Sequence, residues 1–298
     1  MSPPVRAFKV SRLEHFLDFL LLEGLRRRGK RLRHCDVPVL AARVNDEIGH
    51  EIAVQGVYEK HLLHAITEFL LPRVLPDSKS STALDVGANI GNHSVFLSRH
   101  FARVIAIEPN PSAAALLRAN LAANAISNVD LQQVGLSDED GSLPFVEDTF
   151  NLGGSHFLPA EKAMLVSGGR LLPVMKGDGL VSSLYLRGRI GLIKLDVEGL
   201  ETKVIAGFRE TLLQHKPLVL FEAWTGRTAA EISENLRAVG YRFFYSVDRP
   251  RLRTPSRWIR GLHRMLYGAD IYVEQIHSFE DQWYPLAAAT CSPIEIGR

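Results

Sequence analysis

The chain has 298 residues, of which 46% are hydrophobic and 23% charged, and its formal net charge is +2. This composition is typical of a globular protein with a buried core, and the charge provides no global attraction to nucleic acid or membranes. Cys35 and Cys291 form neither a disulfide framework nor a zinc spacing. We therefore expect a reducing, cytoplasmic location, with no signal peptide or transmembrane segment.

The first 55 residues are predicted to form a helical extension. Apolar residues recur there at helical spacing, namely Phe8, Leu13, Phe16, Leu17, Leu20 and Leu21. A basic run follows, which comprises Arg26, Arg27, Arg28, Lys30, Arg31 and Arg33. This run is either a solvated face or a contact for an anionic substrate or a membrane surface.

From residue 56 onwards, helices alternate with strands. Strands are predicted at 82–86, 103–108, 129–135, 191–196, 217–222, 241–247 and 270–276. Helices are predicted at 56–71, 91–100, 112–124 and 229–239, and a further helix follows the strand 191–196 and ends at residue 214. The alternation predicts an α/β fold with a doubly wound, seven-stranded, mostly parallel sheet of Rossmann-like type. Residues 138–190 break the rhythm and are expected to form hairpins and a lid. The expected divisions are an extension (1–55), a main domain (56–280) and a C-terminal tail (281–298).

A glycine turn follows the first predicted strand, in the run Asp85-Val-Gly87-Ala-Asn89-Ile-Gly91-Asn92. Glycines there allow a tight turn and close approach to a ligand at the carboxyl end of the sheet. The Gly-x-x-x-Gly spacing differs from the Gly-x-Gly-x-x-Gly of dinucleotide sites, which places a helix N-terminus on a pyrophosphate. Asp85 and Asn89 instead suit a ligand that carries an ammonium group and no phosphate.

Acidic residues at the ends of the next strands complete the pattern. Glu108, followed by Pro109 and Asn110, is placed to accept hydrogen bonds from ribose hydroxyls, and Ser137 and Asp138 are placed to reach an adenine ring. An acidic rim of Asp85, Glu108 and Asp138 favours a cationic sulfonium ligand. We therefore predict S-adenosylmethionine as the cofactor, with the following contacts: Asp85, Gly87, Asn89, Gly91, Asn92, Glu108, Asn110, Ser137 and Asp138.

Three segments resemble the FkbM family of methyltransferases: Leu84 to Ser94, Ile107 to Asn110, and the run Ile193-Lys-Leu-Asp-Val-Glu-Gly-Leu-Glu201. The resemblance extends from Gly56-Val-Tyr-Glu59 to Phe221-Glu222. It implies a class I methyltransferase fold. It also implies methylation of a hydroxyl oxygen on a sugar, a glycan or another small metabolite.

The most specific motif contains Lys194, Asp196 and Glu198, which we predict to be the catalytic residues. Strand alternation directs their side chains to one side, beside the cofactor. Asp196 or Glu198 could accept the proton of the acceptor hydroxyl. The alternative is that Lys194 forms an ion pair with one of the two carboxylates and only braces the loop.

Four further residues are candidates for the acceptor site. His93 is a rival base that could instead cap or pack its helix, and Glu59 and Glu222 match the family pattern. Asn151 could form the acceptor rim, although a plain loop is the simpler interpretation. Asp196 and Glu222 could hold a divalent ion, but no cluster has a diagnostic spacing and we expect no metal.

Two other functions stay open. A nucleic-acid methyltransferase is suggested by the basic run at 26–33 and by a second basic segment at 249–264, although the net charge argues against nucleic acid as a partner. A non-catalytic module that binds the cofactor would also retain the fold. The sequence leaves the oligomeric state open.

Overall fold

The structure is a computed structural model that describes residues 12–32, 35, 37–148, 151–158, 170–186, 188–248 and 270–296. Its α-helices are α1 (Arg12–Leu32), α2 (Glu47–Gln55), α3 (Lys60–His64), α4 (Leu71–Val74), α5 (Asn92–Leu97), α6 (Pro111–Ala123), α7 (Gly177–Ser183), α8 (Glu201–Gly207), α9 (Arg209–His215) and α10 (Gly226–Ala238). Its strands are β1 (Thr82–Val86), β2 (Arg103–Ile107), β3 (Val129–Gln132), β4 (Gly135–Ser137), β5 (Gly141–Val146), β6 (His156–Phe157), β7 (Arg170–Lys176), β8 (Ile190–Leu195), β9 (Leu218–Ala223), β10 (Phe243–Asp248), β11 (Tyr272–Ile276) and β12 (Tyr284–Thr290). A π-helical segment (Ala65–Leu70) joins α3 to α4, and 3-10 turns lie at Ser78–Ser80 and Leu152–Gly154.

The central sheet has eight strands in the order β11-β10-β12-β9-β8-β1-β2-β3. The five strands β9, β8, β1, β2 and β3 run parallel to one another, as helical crossover connections allow. Both β1 and β8 are buried along their whole length, because structure covers both faces of the sheet. The predicted fold class, α/β with a doubly wound and mostly parallel sheet, is confirmed.

The segment predicted as a C-terminal tail contributes a central strand. β12 inserts between β9 and β10 and runs antiparallel to both, so the sheet has eight strands instead of seven. Its middle consists of Ala287, Ala288 and Ala289, which are fully buried. Alanine lacks the branched or aromatic side chain that marks strands in a sequence, and for this reason the pattern conceals the strand.

Part of the irregular stretch after β3 forms a second, four-stranded sheet in the order β4-β7-β5-β6. The predicted third strand, 129–135, divides at Gln132, because Gly135 already belongs to β4 of the second sheet. The expected hairpins are present, since β5 pairs antiparallel with both β6 and β7. Phe145 and Phe157 pack edge to face at 5.1 Å between ring centroids and give this sheet a small core of its own.

Helix α2 joins the N-terminal extension to the domain. Gly56 ends α2 with a φ of +85°, so the helix predicted over 56–71 begins only at Lys60. Ile48 of α2 packs with Ile90 of the glycine turn in a buried cluster. The second half of the predicted extension is therefore part of the folded body.

Helix α1 lies outside this core. Arg28 Nε donates a hydrogen bond to the backbone carbonyl of Val54 in α2, which fixes the C-terminal half of α1. Among the described residues, no helix is both long and apolar enough to cross a membrane. Phe8, Arg33 and the basic segment 249–264 lie outside the described residues.

Candidate functional site

A cavity of about 1430 Å³, including its mouth, lies at the carboxyl ends of β1, β2, β8 and β9. The chain continues from β1 to β2 on one side and returns to β8 on the other, which makes this the switch point where doubly wound sheets bind ligands. The cavity brings together eleven of the predicted site residues: Glu59, Gly87, Asn89, Asn92, His93, Glu108, Asn151, Lys194, Asp196, Glu198 and Glu222. Five others do not line it: Asp85, Gly91, Asn110, Ser137 and Asp138.

The glycine turn forms the floor of one half of the cavity. Gly87, Asn89 and Gly91 have φ angles of +79°, +50° and +84°. A Cβ at Gly87 would lie 1.7 Å from the backbone oxygen of Asp196, so the turn can pass β8 only without a side chain. Asn89 Oδ1 is buried and has no hydrogen-bond partner among the described residues, which leaves it available to a ligand.

Glu108 holds the glycine turn in place. Its Oε2 accepts from the backbone N–H of Asn89 at 2.8 Å and its Oε1 from that of Asn110 at 2.7 Å. Burial raises the pKa of Glu108 to about 7, against the two N–H groups, which favour the charged form. The carboxyl group therefore has two possible tasks, bracing the loop and facing a ligand.

Asp85 lies behind the cavity wall. Its Oδ2 accepts a hydrogen bond from the Ser94 hydroxyl at 2.6 Å, and its Oδ1 lies 3.7 Å from Lys194 Nζ. The side chain is completely buried, because β1 is covered on both faces. The geometry thus gives Asp85 a supporting place and not the direct ligand contact that the sequence predicts.

Two asparagines that the sequence predicts as cofactor contacts form hydrogen bonds with backbone groups of the chain. The Asn92 amide exchanges two hydrogen bonds of 2.9 Å with the backbone of Tyr58 and so ties α5 to the segment before α3. The Asn110 side chain accepts from Ser112 N at 2.9 Å and caps α6. Gly91 only precedes α5, where its φ of +84° permits the turn into the helix.

Ser137 and Asp138 lie at the end of β4 in the second sheet, not at the end of a central strand. Ser137 Oγ donates to Asp138 Oδ1 at 2.9 Å, and Lys203 Nζ lies 3.7 Å from the same oxygen. The cavity at this edge is lined instead by Val134, Gly135 and Leu136. The prediction places Ser137 and Asp138 at the end of the third central strand. That strand ends earlier, at Gln132, and the following residues form β4 of the second sheet.

Lys194 and Asp196 form an ion pair in the other half of the cavity. Lys194 Nζ lies 3.1 Å from Asp196 Oδ2. Burial alone would lower the pKa of Lys194, but the charges of Asp196 and Asp85 outweigh burial and hold this pKa above its ordinary value. Lys194 therefore stays protonated, and it links the cavity to the buried carboxylate behind it.

Glu198 and Glu222 face the same space, and each is hydrogen-bonded to a tryptophan. Trp283 Nε1 donates to Glu222 Oε1 at 2.6 Å, and Trp224 hydrogen-bonds to Glu198. Burial and the charge of Asp196 raise the pKa of Glu198 to about 7 and that of Glu222 to about 9. These carboxyl groups are therefore far more basic than ordinary ones.

The two indole rings stack on each other at the cavity mouth. Their centroids are 5.7 Å apart and their planes differ by 19°. Trp224 is 54% exposed and Trp283 43% exposed, so the pair presents aromatic surface to solvent. Sequence reasoning missed both residues. Trp224 follows the predicted site residue Glu222 by two positions, and this spacing along a strand was an available signal. Trp283 directly precedes β12, a strand that the sequence does not predict, so no comparable signal pointed to it.

His93 and Glu59 lie deeper in the cavity. His93 Nε2 is 3.4 Å from Glu59 Oε2. Burial, together with the nearby charge of Lys194, holds the pKa of His93 well below its ordinary value, so the imidazole is neutral at physiological pH. Asn151 accepts from Gly153 N at 3.3 Å and shapes the rim loop. Among the described residues, no group of three or more His, Cys, Asp or Glu side chains could hold a metal ion.

Known proteins similar to this chain are methyltransferases. Methyltransferase sdnD of Sordaria araneosa is 31% identical over 169 residues, which cover 47% of this chain and 65% of that protein. Methyltransferase 1 of Beauveria bassiana (strain ARSEF 2860) is 27% identical over 153 residues, which cover 45% of this chain and 61% of that protein. The chain thus spans less than two thirds of the length of either relative.

A solved structure of an FkbM methyltransferase from Methylobacillus flagellatus KT aligns with 90% of this chain and 58% of its own, at a TM-score of 0.46 and 15% identity. A sequence model described as the methyltransferase FkbM domain matches residues 85–243, more than half of the chain. The matched region contains the glycine turn, Glu108 and the motif from Lys194 to Glu201. The chain therefore belongs to the FkbM family of methyltransferases.

Proposed function

We propose that this chain transfers a methyl group from S-adenosylmethionine to a hydroxyl oxygen of an uncharged sugar, glycan or other small metabolite. One observation carries the proposal: a single cavity joins the glycine turn and Glu108 to a second half with carboxyl groups and stacked indoles. The first half suits a nucleoside cofactor, and the second suits an acceptor with hydroxyl groups.

The residues of the first half fit the cofactor. Gly87 gives the close backbone approach, and the buried Asn89 Oδ1 is an acceptor in need of a donor such as an ammonium group. Glu108, at the end of β2, has the position from which an acidic side chain binds ribose hydroxyls. When bound, the cofactor would supply an activated methyl group on a sulfonium.

The second half favours an uncharged acceptor. Glu59, Asp196, Glu198 and Glu222 all line it, with Lys194 as the nearby cation. An anionic acceptor would meet the charge of Asp196 there and would raise the pKa of Glu198 and Glu222 further, whereas neutral hydroxyl groups can exchange hydrogen bonds with these carboxyl groups in either protonation state. The stacked indoles add a flat apolar surface against which a ring can pack.

Glu198 is our choice of base, within the catalytic set of Lys194, Asp196 and Glu198. A base works best with a pKa near the working pH, and that of Glu198 is raised to about 7. Glu198 would take the hydroxyl proton while the oxygen–carbon bond forms and the carbon–sulfur bond breaks. The products are the methyl ether, S-adenosylhomocysteine and the proton on Glu198, so charge and atoms balance.

The test is a methylation assay with isotope-labelled S-adenosylmethionine against neutral glycosides, other small alcohols, amines, carboxylic acids and RNA. We expect label in neutral hydroxyl compounds, as methyl ethers identified by mass spectrometry. Labelled RNA with steep salt dependence would indicate the nucleic-acid alternative. Tight binding of S-adenosylhomocysteine without label in any class would indicate a non-catalytic module, and either result would overturn the proposal.

A further inference from the structure

Helix α1 exposes a long apolar surface that the catalytic proposal does not use. Eight of its large side chains are at least 38% exposed: Leu13, Phe16, Leu17, Phe19, Leu20, Leu21, Leu22 and Leu25. Scattered apolar residues are normal on a surface, but a contiguous group of this size marks contact with another body.

These apolar side chains lie on all sides of the N-terminal half of α1, from Leu13 to Leu25. At 100° per residue, Leu17 and Leu20 share one face, whereas Leu22 points the opposite way. Contact with a second helix covers one stripe and would leave Leu22 in water. A bilayer interface covers a wider arc of a helix than a single partner helix does, and the exposed cations that follow this segment complement anionic headgroups, which together favour a bilayer over a second copy of this chain.

The other half of α1 is cationic. Its exposed basic residues are Arg26, Arg27, Lys30 and Arg31. The acidic side chain Glu23 pairs with Arg27 at 3.1 Å, but both are on the surface, where such a pair is weak. An apolar segment followed by clustered cations complements a surface of anionic lipids, where the cations meet headgroups and the apolar side chains enter the acyl region.

Asp18 limits how far the helix can enter. A charged residue within the apolar half disfavours deep insertion, and the helix does not meet the requirements for a membrane span. The C-terminal half is attached to α2 through Arg28, and α2 contributes Ile48 to the cavity wall. A membrane-bound α1 would therefore hold the cavity near the lipid surface.

We propose that α1 inserts at the surface of an anionic phospholipid bilayer and so attaches this methyltransferase to the membrane. Attachment through α1 would be independent of methyl transfer and of the identity of the acceptor. Sedimentation of the full chain with vesicles tests it. Binding to phosphatidylcholine vesicles that contain about 30% phosphatidylserine should exceed binding to pure phosphatidylcholine at least about tenfold.

Two double variants separate the apolar and the cationic contributions. Leu17→Ser with Leu20→Ser should abolish sedimentation with either vesicle, because the inserted surface is lost. Arg26→Gln with Lys30→Gln should reduce binding to anionic vesicles at least about threefold and leave the weak binding to neutral ones unchanged. Arg28 is left intact because it holds α1 to α2.

A matched control is Val44→Ser with Leu171→Ser, which removes exposed apolar side chains elsewhere on the surface. The control should bind vesicles like the parent chain, and all variants should keep the parent melting temperature. Equal binding by the Leu17/Leu20 variant would overturn the proposal. So would absence of vesicle binding, whether the chain proves to dimerise through α1 or to bind a single-stranded RNA through its cations.

Discussion

Lys194 touches two carboxylates, and this arrangement determines what Asp196→Asn should do. The variant keeps the shape of Asp196 but removes the charge that pairs with Lys194 and raises the pKa of Glu198, the proposed base, so we expect kcat to fall roughly 10²-fold or more. Breaking a buried ion pair outright costs about 3–5 kcal/mol. Lys194 keeps Asp85 at 3.7 Å, however, so the melting temperature should change little. Kinetics and thermal unfolding of the same preparation measure both effects.

The matched control is Asp130→Asn, which removes a carboxylate paired with Arg103 at the end of the sheet away from the cavity. This control should retain full activity. If Asp196→Asn proved destabilised while its kcat per folded molecule stayed at the parent value, the ion pair would be structural and the catalytic role refuted.

If Glu198 is the base, the reaction rate should fall on the acidic side of the pH–rate profile as this residue becomes protonated. A carboxyl group must be ionised to accept a proton, and burial beside Asp196 moves this pKa from 4.5 to about 7. We therefore expect kcat/KM for the hydroxyl acceptor to fall as the pH drops below about 7.

Glu198→Gln should lower kcat/KM and remove this fall at acidic pH. The control is Glu139→Gln, at an exposed position in the turn between β4 and β5, which should leave the profile unchanged. If the Glu198→Gln enzyme kept the parent pH–rate profile, another cavity residue would be the base.

At the scale of elements, the contact between the glycine turn and β8 depends on the absence of one side chain. Gly87→Ala would place a Cβ 1.7 Å from the Asp196 carbonyl, at a φ of +79°, so the strand end of β8 must move. We expect at least about tenfold weaker binding of S-adenosylhomocysteine, measured by calorimetry, and a lower melting temperature.

Gly240→Ala separates the clash from backbone strain. Gly240 also has a positive φ, +100°, but a Cβ there would meet nothing within 4 Å. This control should lose about 1 kcal/mol of stability through strain and bind S-adenosylhomocysteine like the parent chain. Parent-like binding by Gly87→Ala would mean that the turn and β8 tolerate separation.

The elements that could be predicted from the sequence are those with local signals. The glycine turn and Glu108 stand at the ends of apolar runs, so their place at the sheet edge follows from strand and helix periodicity. The cavity wall made by α2, by contrast, depends on tertiary packing of Ile48 that no local pattern encodes. Asp138 was misplaced because strands β3 and β4 are contiguous in sequence but belong to different sheets.

At the scale of the whole molecule, β12 makes residues far apart in sequence depend on one another. Ala288 pairs with Leu220 on one side and Tyr245 on the other, and it is fully buried. Ala288→Glu would place a charge in the middle of the sheet, and we expect loss of cooperative unfolding and of soluble yield. Ile296→Glu, at an exposed position beyond the strand, should behave like the parent.

Circular dichroism and differential scanning calorimetry measure this difference. A folded Ala288→Glu protein with the parent melting temperature would show that β12 is dispensable, as a C-terminal tail would be. In that case Trp283 would also have no fixed place at the cavity mouth.

The insertion of β12 has a consequence for synthesis on the ribosome. Strands β9 and β10 leave the exit tunnel long before residues 284–290, yet each offers β12 an edge of unpaired backbone groups. A nascent chain with such open edges can pair with other chains until the missing strand arrives. The central sheet is therefore incomplete until residues 284–290 have left the tunnel, and Trp283, directly before this strand, reaches the cavity mouth only with it.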